Sequence, residues 1–322
     1  MISMKVTKRR RQTIRSMLAV PAIRPEFFAK AAAGSTDSLF VDLEDSVFPD
    51  QKVKARDIAA EAIEATDWGD KLVLVRCNAV DTEWAFRDIE KLGSACPRLD
   101  GFLVPKIGSA DELRFVENMF QHLDRERPDD RSLELHILIE TAEGVAHVED
   151  ILERSKRIVS VSFGVGDYSV SMGAHDRLVG GSNPDYVVLT GNEHHSGREP
   201  HWNDQWHFAM ARIANACHAF GVTAIDGPFG NIADREGFKA AARRAFILGY
   251  EGKWAIHPSQ VELANTAFSP TDAEIQWALA ARDALIEAGK AGKGAIQFNG
   301  QLLDVASLKG LRSILDRAGF RE

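Results

Sequence analysis

The 322 residues include only three cysteines and three tyrosines, and no apolar run approaches the roughly 18 residues a membrane-spanning helix needs. Each shortage excludes a class. Cys77, Cys96 and Cys217 are odd in number, far apart and form no C-x-x-C pair, so neither a disulfide framework nor a zinc knuckle is expected. The cytoplasm, a reducing compartment, is the natural location. Where a dinucleotide fold would place its Gly-rich phosphate loop, after the first apolar run, stands Pro21-Ala-Ile-Arg-Pro25. No histidine pair has zincin spacing. Positive charge is also short: the net charge is −8, and Lys5, Lys8, Arg9, Arg10, Arg11 and Arg15 crowd into the first 16 residues, leaving −14 for the rest. An acidic body excludes nucleic acid as the main partner. Residues 1–14 read as a solvated basic leader, because the apolar stretch Met17–Ala22 behind them is too short for a signal-peptide core and is broken by Pro21.

What is present is 45% apolar and 27% charged, enough for a large core. Short apolar runs alternate with long amphipathic stretches. Strands are expected at Met17–Val20, Leu39–Leu43, Leu72–Arg76, Phe102–Pro105, Leu135–Ile139, Ile158–Phe163, Val222–Ile225 and Lys253–Ile256. Helices are expected at Pro25–Ala33, Gln51–Ala65, Ala110–Leu123, Ala142–Arg154, His207–Phe220 and Arg235–Leu248. Eight strand–helix units closing on themselves make a TIM (β/α)8 barrel over residues 15–270. Residues 171–206 read as one long loop, of the length that is usually functional. From 271 to 322 a separate lobe is expected. It comprises a helix opened by the capping box Thr271-x-x-Glu274, a hairpin turning at Asn299-Gly300, and a last helix headed by Asp304.

A barrel's chemistry lies at the C-terminal ends of its strands. Those ends deliver Arg24, Asp42, Glu44, Asp45, Arg76, Asn78, Lys106, Glu140, Thr141, Asp167, Asp226 and His257. Any one of them can be a local cap; together on one rim they read as an active site. Glu140 and Asp167, hard carboxylates at adjacent strand ends, suit Mg²⁺ (or Mn²⁺) that keeps waters for a substrate to replace. Asp42, Glu44 and Asp45 either add ligands or hold bound water together with Lys106. Arg76 is a forked donor suited to a carboxylate, phosphate or enolate oxygen. A divalent metal beside an arginine, without a phosphate loop, points to carbanion chemistry next to a carbonyl. His194, His195, His201 and His207 are irregularly spaced and read as loop and cap histidines. Arg15, Arg24 and Lys30 are either surface charges or contacts for a large anionic cofactor.

Several segments resemble the citrate lyase β-subunit-like branch of the HpcH/HpaI aldolase superfamily. They are Arg15–Pro21, Asp42-Leu-Glu-Asp45 with Pro49-Asp50, Val104-Pro-Lys106, Ile139-Glu-Thr141 and Phe163-Gly-Val-Gly-Asp167. His201–His207, Ile225–Gly230, Gly252–Pro258 and Leu303–Ser307 are similar to malyl-CoA lyases in particular. The resemblance implies Mg²⁺-dependent Claisen cleavage of a hydroxyacyl-CoA carboxylate, with malyl-CoA giving acetyl-CoA and glyoxylate. It implies Glu140 and Asp167 as metal ligands, Arg76 on the enolate oxygen, Glu44 and Asp45 beside it, and Arg24, Lys30, Ile256 and Pro258 as the CoA-binding set. It further implies that Asp304 reaches a neighbouring subunit's barrel and moves the methyl proton, in a homotrimer or homohexamer. The partners it implies are an acyl-CoA and a 2-oxo acid, with no nucleic acid or membrane. Ala19 and Ala79-Val80 depart from residues usual in malyl-CoA lyases and bear on the acyl substrate. The alternatives are a citrate lyase β-type or citramalyl-CoA lyase, a malyl-CoA thioesterase and a non-catalytic CoA-binding protein.

Overall fold

Eight parallel strands close into a barrel: β1 (Ser16–Pro21), β2 (Ser38–Asp42), β3 (Leu72–Arg76), β4 (Gly101–Val104), β5 (Glu134–Ile139), β6 (Ile158–Phe163), β9 (Thr223–Asp226) and β10 (Gly252–Ala255). Their order around the barrel follows the chain, with β6 beside β9 and β10 beside β1. The computed structural model describes residues 13–127, 131–175, 178–192 and 195–320; Lys5, Lys8, Arg9, Arg10, Arg11 and His194 lie outside them. The α/β barrel expected from strand–helix alternation is the fold.

The strands form where apolar residues are continuous because both of their faces are covered, as parallel strands require. β2, β3 and β4 are buried at every position. Inward residues at period two pack into one cluster: Met17, Phe40, Leu72, Leu74, Leu103, Leu138, Ile225 and Trp254, with Ala19 against it. The Phe40 and Trp254 rings stand 4.5 Å apart at its centre. The helices between strands cover the outside. The expected Ala142–Arg154 helix is two helices, Ala142–Ala146 and Val148–Arg154, broken at His147, whose Nδ1 lies 3.2 Å from the Gly108 carbonyl.

Two other segments depart from expectation. Residues 171–206 hold an antiparallel hairpin, β7 (Val187–Asn192) with β8 (His195–Trp202), in place of an unstructured loop. Val187-Val-Leu-Thr190 supplies the β-branched run. The chain forms two compact units, the first ending at Asn265 and the second running from Thr266. Within the second unit the helix Asp272–Lys290 starts at its capping box. The hairpin β11 (Ala295–Phe298) with β12 (Gln301–Asp304) turns through Asn299 and Gly300, both at positive φ as a type I′ turn demands. The last helix, Ser307–Arg317, packs Leu311 and Leu315 against Ala278, Ala281, Leu285 and Leu303. Asp304 therefore closes a strand, three residues before the helix it was expected to head. Its carboxylate accepts from the Ser307 amide and hydroxyl, both at 3.0 Å.

Candidate active site at the carboxyl rim

Period two carries the inward face of each strand past its last apolar residue to a functional one. On β2 Asp42 follows Phe40, on β3 Arg76 follows Leu74, and on β5 Glu140 follows Leu138. Asp42 and Arg76 are also register partners between β2 and β3, so the ladder itself sets them side by side. Arg76 Nε and Nη2 grip the two oxygens of Asp42 at 2.7 and 2.8 Å, a bidentate pair. The guanidinium lies over the rings of Phe40 and Trp254, 5.6 and 5.7 Å from their centroids. It thus caps the aromatic layer of the barrel interior. Burial works against the Arg76 charge, but Asp42, Glu44 and Asp45 hold its pKa well above the usual value.

The loop after β2 wraps around this pair. Asp42 accepts from the Glu44 and Ser46 amides at 2.9 and 3.2 Å, which fixes the turn. Lys52 Nζ clamps the same turn through the Leu43 and Glu44 carbonyls at 2.8 and 2.7 Å. Arg76 Nη1 is 3.1 Å from both Glu44 and Asp45; Glu44 is buried, whereas the Asp45 side chain is 56% exposed. Asp45 is the partner that an incoming oxygen can replace. Behind Arg76, Asn78 and Arg56 share the buried carboxylate of Asp88 at 2.6 and 2.7 Å.

Across the rim, Lys106 has φ 56°, a backbone conformation rare for a non-glycine residue. That turn aims its amide at Glu140 Oε1 (3.0 Å) and its ammonium at Glu44 Oε1 (2.6 Å), with Asp167 Oδ2 at 3.3 Å. Glu140 is buried, and burial, followed by the charge of Glu44, pushes its pKa well above the ordinary carboxylate value. Burial likewise raises Glu44, and for Lys106 burial is outweighed by the charge of Glu44. A Cβ at Gly164 would meet Glu140 Oε2 and Cβ at 2.4 Å, so only glycine leaves room for this carboxylate. Asp167 lies in the first turn of the helix Val165–Ser171, not at a strand end.

Five carboxylates (Asp42, Glu44, Asp45, Glu140, Asp167) thus gather around three cations (Arg76, Lys106, Lys52). Among the described residues the only hydrogen bond to Glu140 is the one from the Lys106 amide. No three His, Cys, Asp or Glu side chains there form a closed metal cage. A cation that keeps several waters needs only one or two carboxylates. Glu140, buried, singly hydrogen-bonded and short of positive charge, with half-exposed Asp167 close enough to feel its field, fits that requirement.

Other candidates fall elsewhere. Asp226, expected on the rim, has the opposite parity to Ile225 and points outward. There it binds buried Lys253 at 2.5 Å under the Phe238 ring, a pair whose only advance signal was a lysine inside a strand pattern. Thr141 caps the helix Ala142–Ala146. Arg24 and Lys30 flank the Phe27 ring just beyond β1, and Arg24 also meets Glu26 at 2.5 Å. Ile256 and Pro258 stand exposed just past β10. His201 bonds Thr190 in the hairpin. His207 opens a helix beside an apolar cavity of about 1130 Å³ between Leu178–Ser182, Trp202 and the helix Arg235–Ile247, which contains none of the five carboxylates. No helix among the described residues is long and apolar enough to cross a membrane.

Comparison with known proteins agrees in fold and family. Residues 15–258 match the HpcH/HpaI aldolase/citrate lyase family model. The L-malyl-CoA/beta-methylmalyl-CoA lyase of Cereibacter sphaeroides is 41% identical over 305 residues, covering 94% of each chain. The malyl-CoA/beta-methylmalyl-CoA/citramalyl-CoA lyase of Chloroflexus aurantiacus is 33% identical over 89% of this chain and 82% of its own. The crystal structure of protein CitE from Mycobacterium tuberculosis, in complex with magnesium, acetoacetate and coenzyme A, superposes with a TM-score of 0.73 at 28% identity. That match covers 96% of this chain and all of the other.

Proposed function

The chain belongs to the HpcH/HpaI aldolase/citrate lyase family and is a lyase, and from that premise we propose that it reversibly cleaves malyl-CoA or β-methylmalyl-CoA to glyoxylate and acetyl-CoA or propionyl-CoA. The observation that carries this reading is the buried Arg76 set among a surplus of carboxylates, with Glu140 unbalanced by any side-chain cation of its own. Glu140 and Asp167 would hold Mg²⁺, which when bound supplies Lewis-acid polarisation of the oxo-acid oxygens. The rest is the work of the chain's own side chains.

In the cleavage direction the hydroxyl proton passes to Asp45, the exposed carboxylate on Arg76 Nη1. The bond between the hydroxyl-bearing carbon and the α-carbon of the thioester breaks, and its electrons collect on the thioester oxygen. Arg76 meets that oxygen through the nitrogen Asp45 had occupied, held in plane by its bidentate grip on buried Asp42. Glu44 and Lys106 fix the far side of the pocket. Arg24 and Lys30, exposed cations beyond β1, would meet the CoA phosphates, near Ile256 and Pro258. A proton then reaches the enolate carbon by way of Asp304, which draws it from solvent and is left a carboxylate again, while Asp45 gives the hydroxyl proton back to solvent. The Asp304 carboxylate stands on an exposed hairpin end between exposed Leu302 and Val305. A two-stranded hairpin and two helices bury little by themselves, so we assign this lobe to the barrel of a neighbouring subunit in a homotrimer or homohexamer. Three buried, reduced cysteines suit the cytoplasm.

Product analysis with malyl-, β-methylmalyl- and citramalyl-CoA, with and without Mg²⁺, tests the assignment. Glyoxylate and acyl-CoA in equal amounts, abolished by exhaustive chelation, are expected. Free CoA without glyoxylate would make the protein a thioesterase, and pyruvate from citramalyl-CoA alone would move it to the citramalyl branch.

A further inference from the structure

One residue touches nearly the whole carboxylate cluster, at two points. The positive-φ backbone of Lys106 directs its amide to Glu140, and its four-carbon stem brings the ammonium to Glu44 at 2.6 Å, Asp167 at 3.3 Å and Asp45 at 3.7 Å. Only the Glu44 contact has hydrogen-bond geometry. Asp167 is approached through space alone, and its side chain is 39% exposed. A point charge on a flexible stem can occupy such a place and leave it; a guanidinium fork stacked on two rings, as Arg76 is, cannot.

We propose that Lys106 is a built-in counter-ion for the divalent-metal site. Its ammonium partly neutralises Asp167 and Glu44 while the site is empty of metal, and it must release Asp167 when a divalent cation is taken up. The inference rests on the reading of Glu140 and Asp167 as the metal ligands. The affinity of the site is then set by competition between the metal and the protein's own lysine. Without that lysine, Arg76 and the backbone-bound Lys52 would face all five carboxylates. The local backbone fits this role. The left-handed turn at Lys106 holds the Glu140 carboxylate by a main-chain donor that does not depend on the ammonium, so the lysine can let go of Asp167 without releasing Glu140.

Titration of Mn²⁺ into metal-stripped full-length protein, followed by the loss of the free-ion paramagnetic resonance signal, tests this apart from turnover. Lys106→Met keeps the stem and removes the charge. Removing a monovalent cation a few ångströms from a divalent one should tighten Mn²⁺ binding by about tenfold. Lys106→Gly relaxes the left-handed backbone while keeping the amide on Glu140, and should shift affinity in the same direction even if the methionine variant packs poorly. Unchanged or weaker Mn²⁺ binding in both folded variants, with binding still abolished by Glu140→Gln, would overturn the counter-ion role and leave the metal assignment standing. Wild-type protein that binds no Mn²⁺, or a Glu140→Gln variant that binds it as well, would overturn the metal assignment and the inference with it.

Discussion

The two ends of the barrel are both rich in charge, yet they are built on opposite rules. At the amino-terminal base three carboxylates each have an arginine: Arg15 with Asp37 at 2.7 Å, Arg98 with Asp100 at 2.9 Å, Arg157 with Asp124 at 2.7 Å. Asp100, buried, also accepts the Val73 amide at 2.9 Å and so ties the starts of β3 and β4 together. At the carboxyl rim the carboxylates outnumber the cations, and Glu140 is held by a single amide. A pair closed on itself does nothing but hold strands in register. A surplus of buried negative charge is costly, and persists where a ligand or ion is to supply the missing positive charge.

The sharpest test of this contrast is to neutralise one carboxylate at each end. Glu140→Gln should lower kcat by at least about a thousandfold, the scale of several kcal/mol of lost charge stabilisation. Yet the metal-stripped variant should melt no earlier than wild type at neutral pH. The folded-state pKa of Glu140 is raised, so the stability it confers is complete only below its unfolded pKa and is lost as pH rises through the folded value; glutamine removes that loss. Differential scanning calorimetry that shows a clear drop would place Glu140 among structural carboxylates. Asp304→Ala should be inactive by about two to four orders of magnitude if it moves the carbon-bound proton. Mixing it with Glu140→Gln chains under subunit exchange should restore activity, because some sites then pair an intact barrel with an intact lobe. A mixture that exchanges and stays inactive would confine the lobe to its own chain.

Next in size is Arg76→Lys. A point charge cannot reproduce a planar fork locked on Asp42, so kcat should fall at least about tenfold. A change confined to KM would reduce Arg76 to a binding residue. At the base the pattern reverses: Asp100→Asn should cost about 1–3 kcal/mol in denaturant unfolding and leave kcat unchanged. A loss of activity there without loss of stability would erase the distinction between the two ends. The smallest effect is expected from Arg24→Ala with Lys30→Ala, which should raise KM for acyl-CoA about two- to tenfold and flatten its dependence on salt. A KM that is unchanged at low ionic strength would return both to ordinary surface charges.

The eight strands were legible because each is a run of apolar residues long enough to be covered on both faces, and the helices because their caps and period are local. Glu140, Arg76 and Asp42 were legible for a related reason: they end apolar runs, and in a barrel those ends meet. Asp226 ends a run in the same way and was placed on the rim with them. Whether a residue faces in or out is set by strand parity and barrel register, so only the closed structure shows it turned outward onto Lys253. Asp167 was read at a strand end but sits on a helix, because the turn at Gly164 begins the helix sooner than the apolar pattern suggests.

Sequence by itself determined the periodicity, hence the barrel, and the chemical types gathered at its carboxyl rim. Tertiary structure alone decided three things. It paired Arg76 with Asp42 through the β2–β3 register, paired Val187–Asn192 with His195–Trp202, and turned Lys106 onto four carboxylates that follow three different strands. The physical reason is range. Period and capping are properties of neighbours along the chain, whereas a charge balance is a sum over groups separated by up to about 120 residues that meet only when the barrel closes.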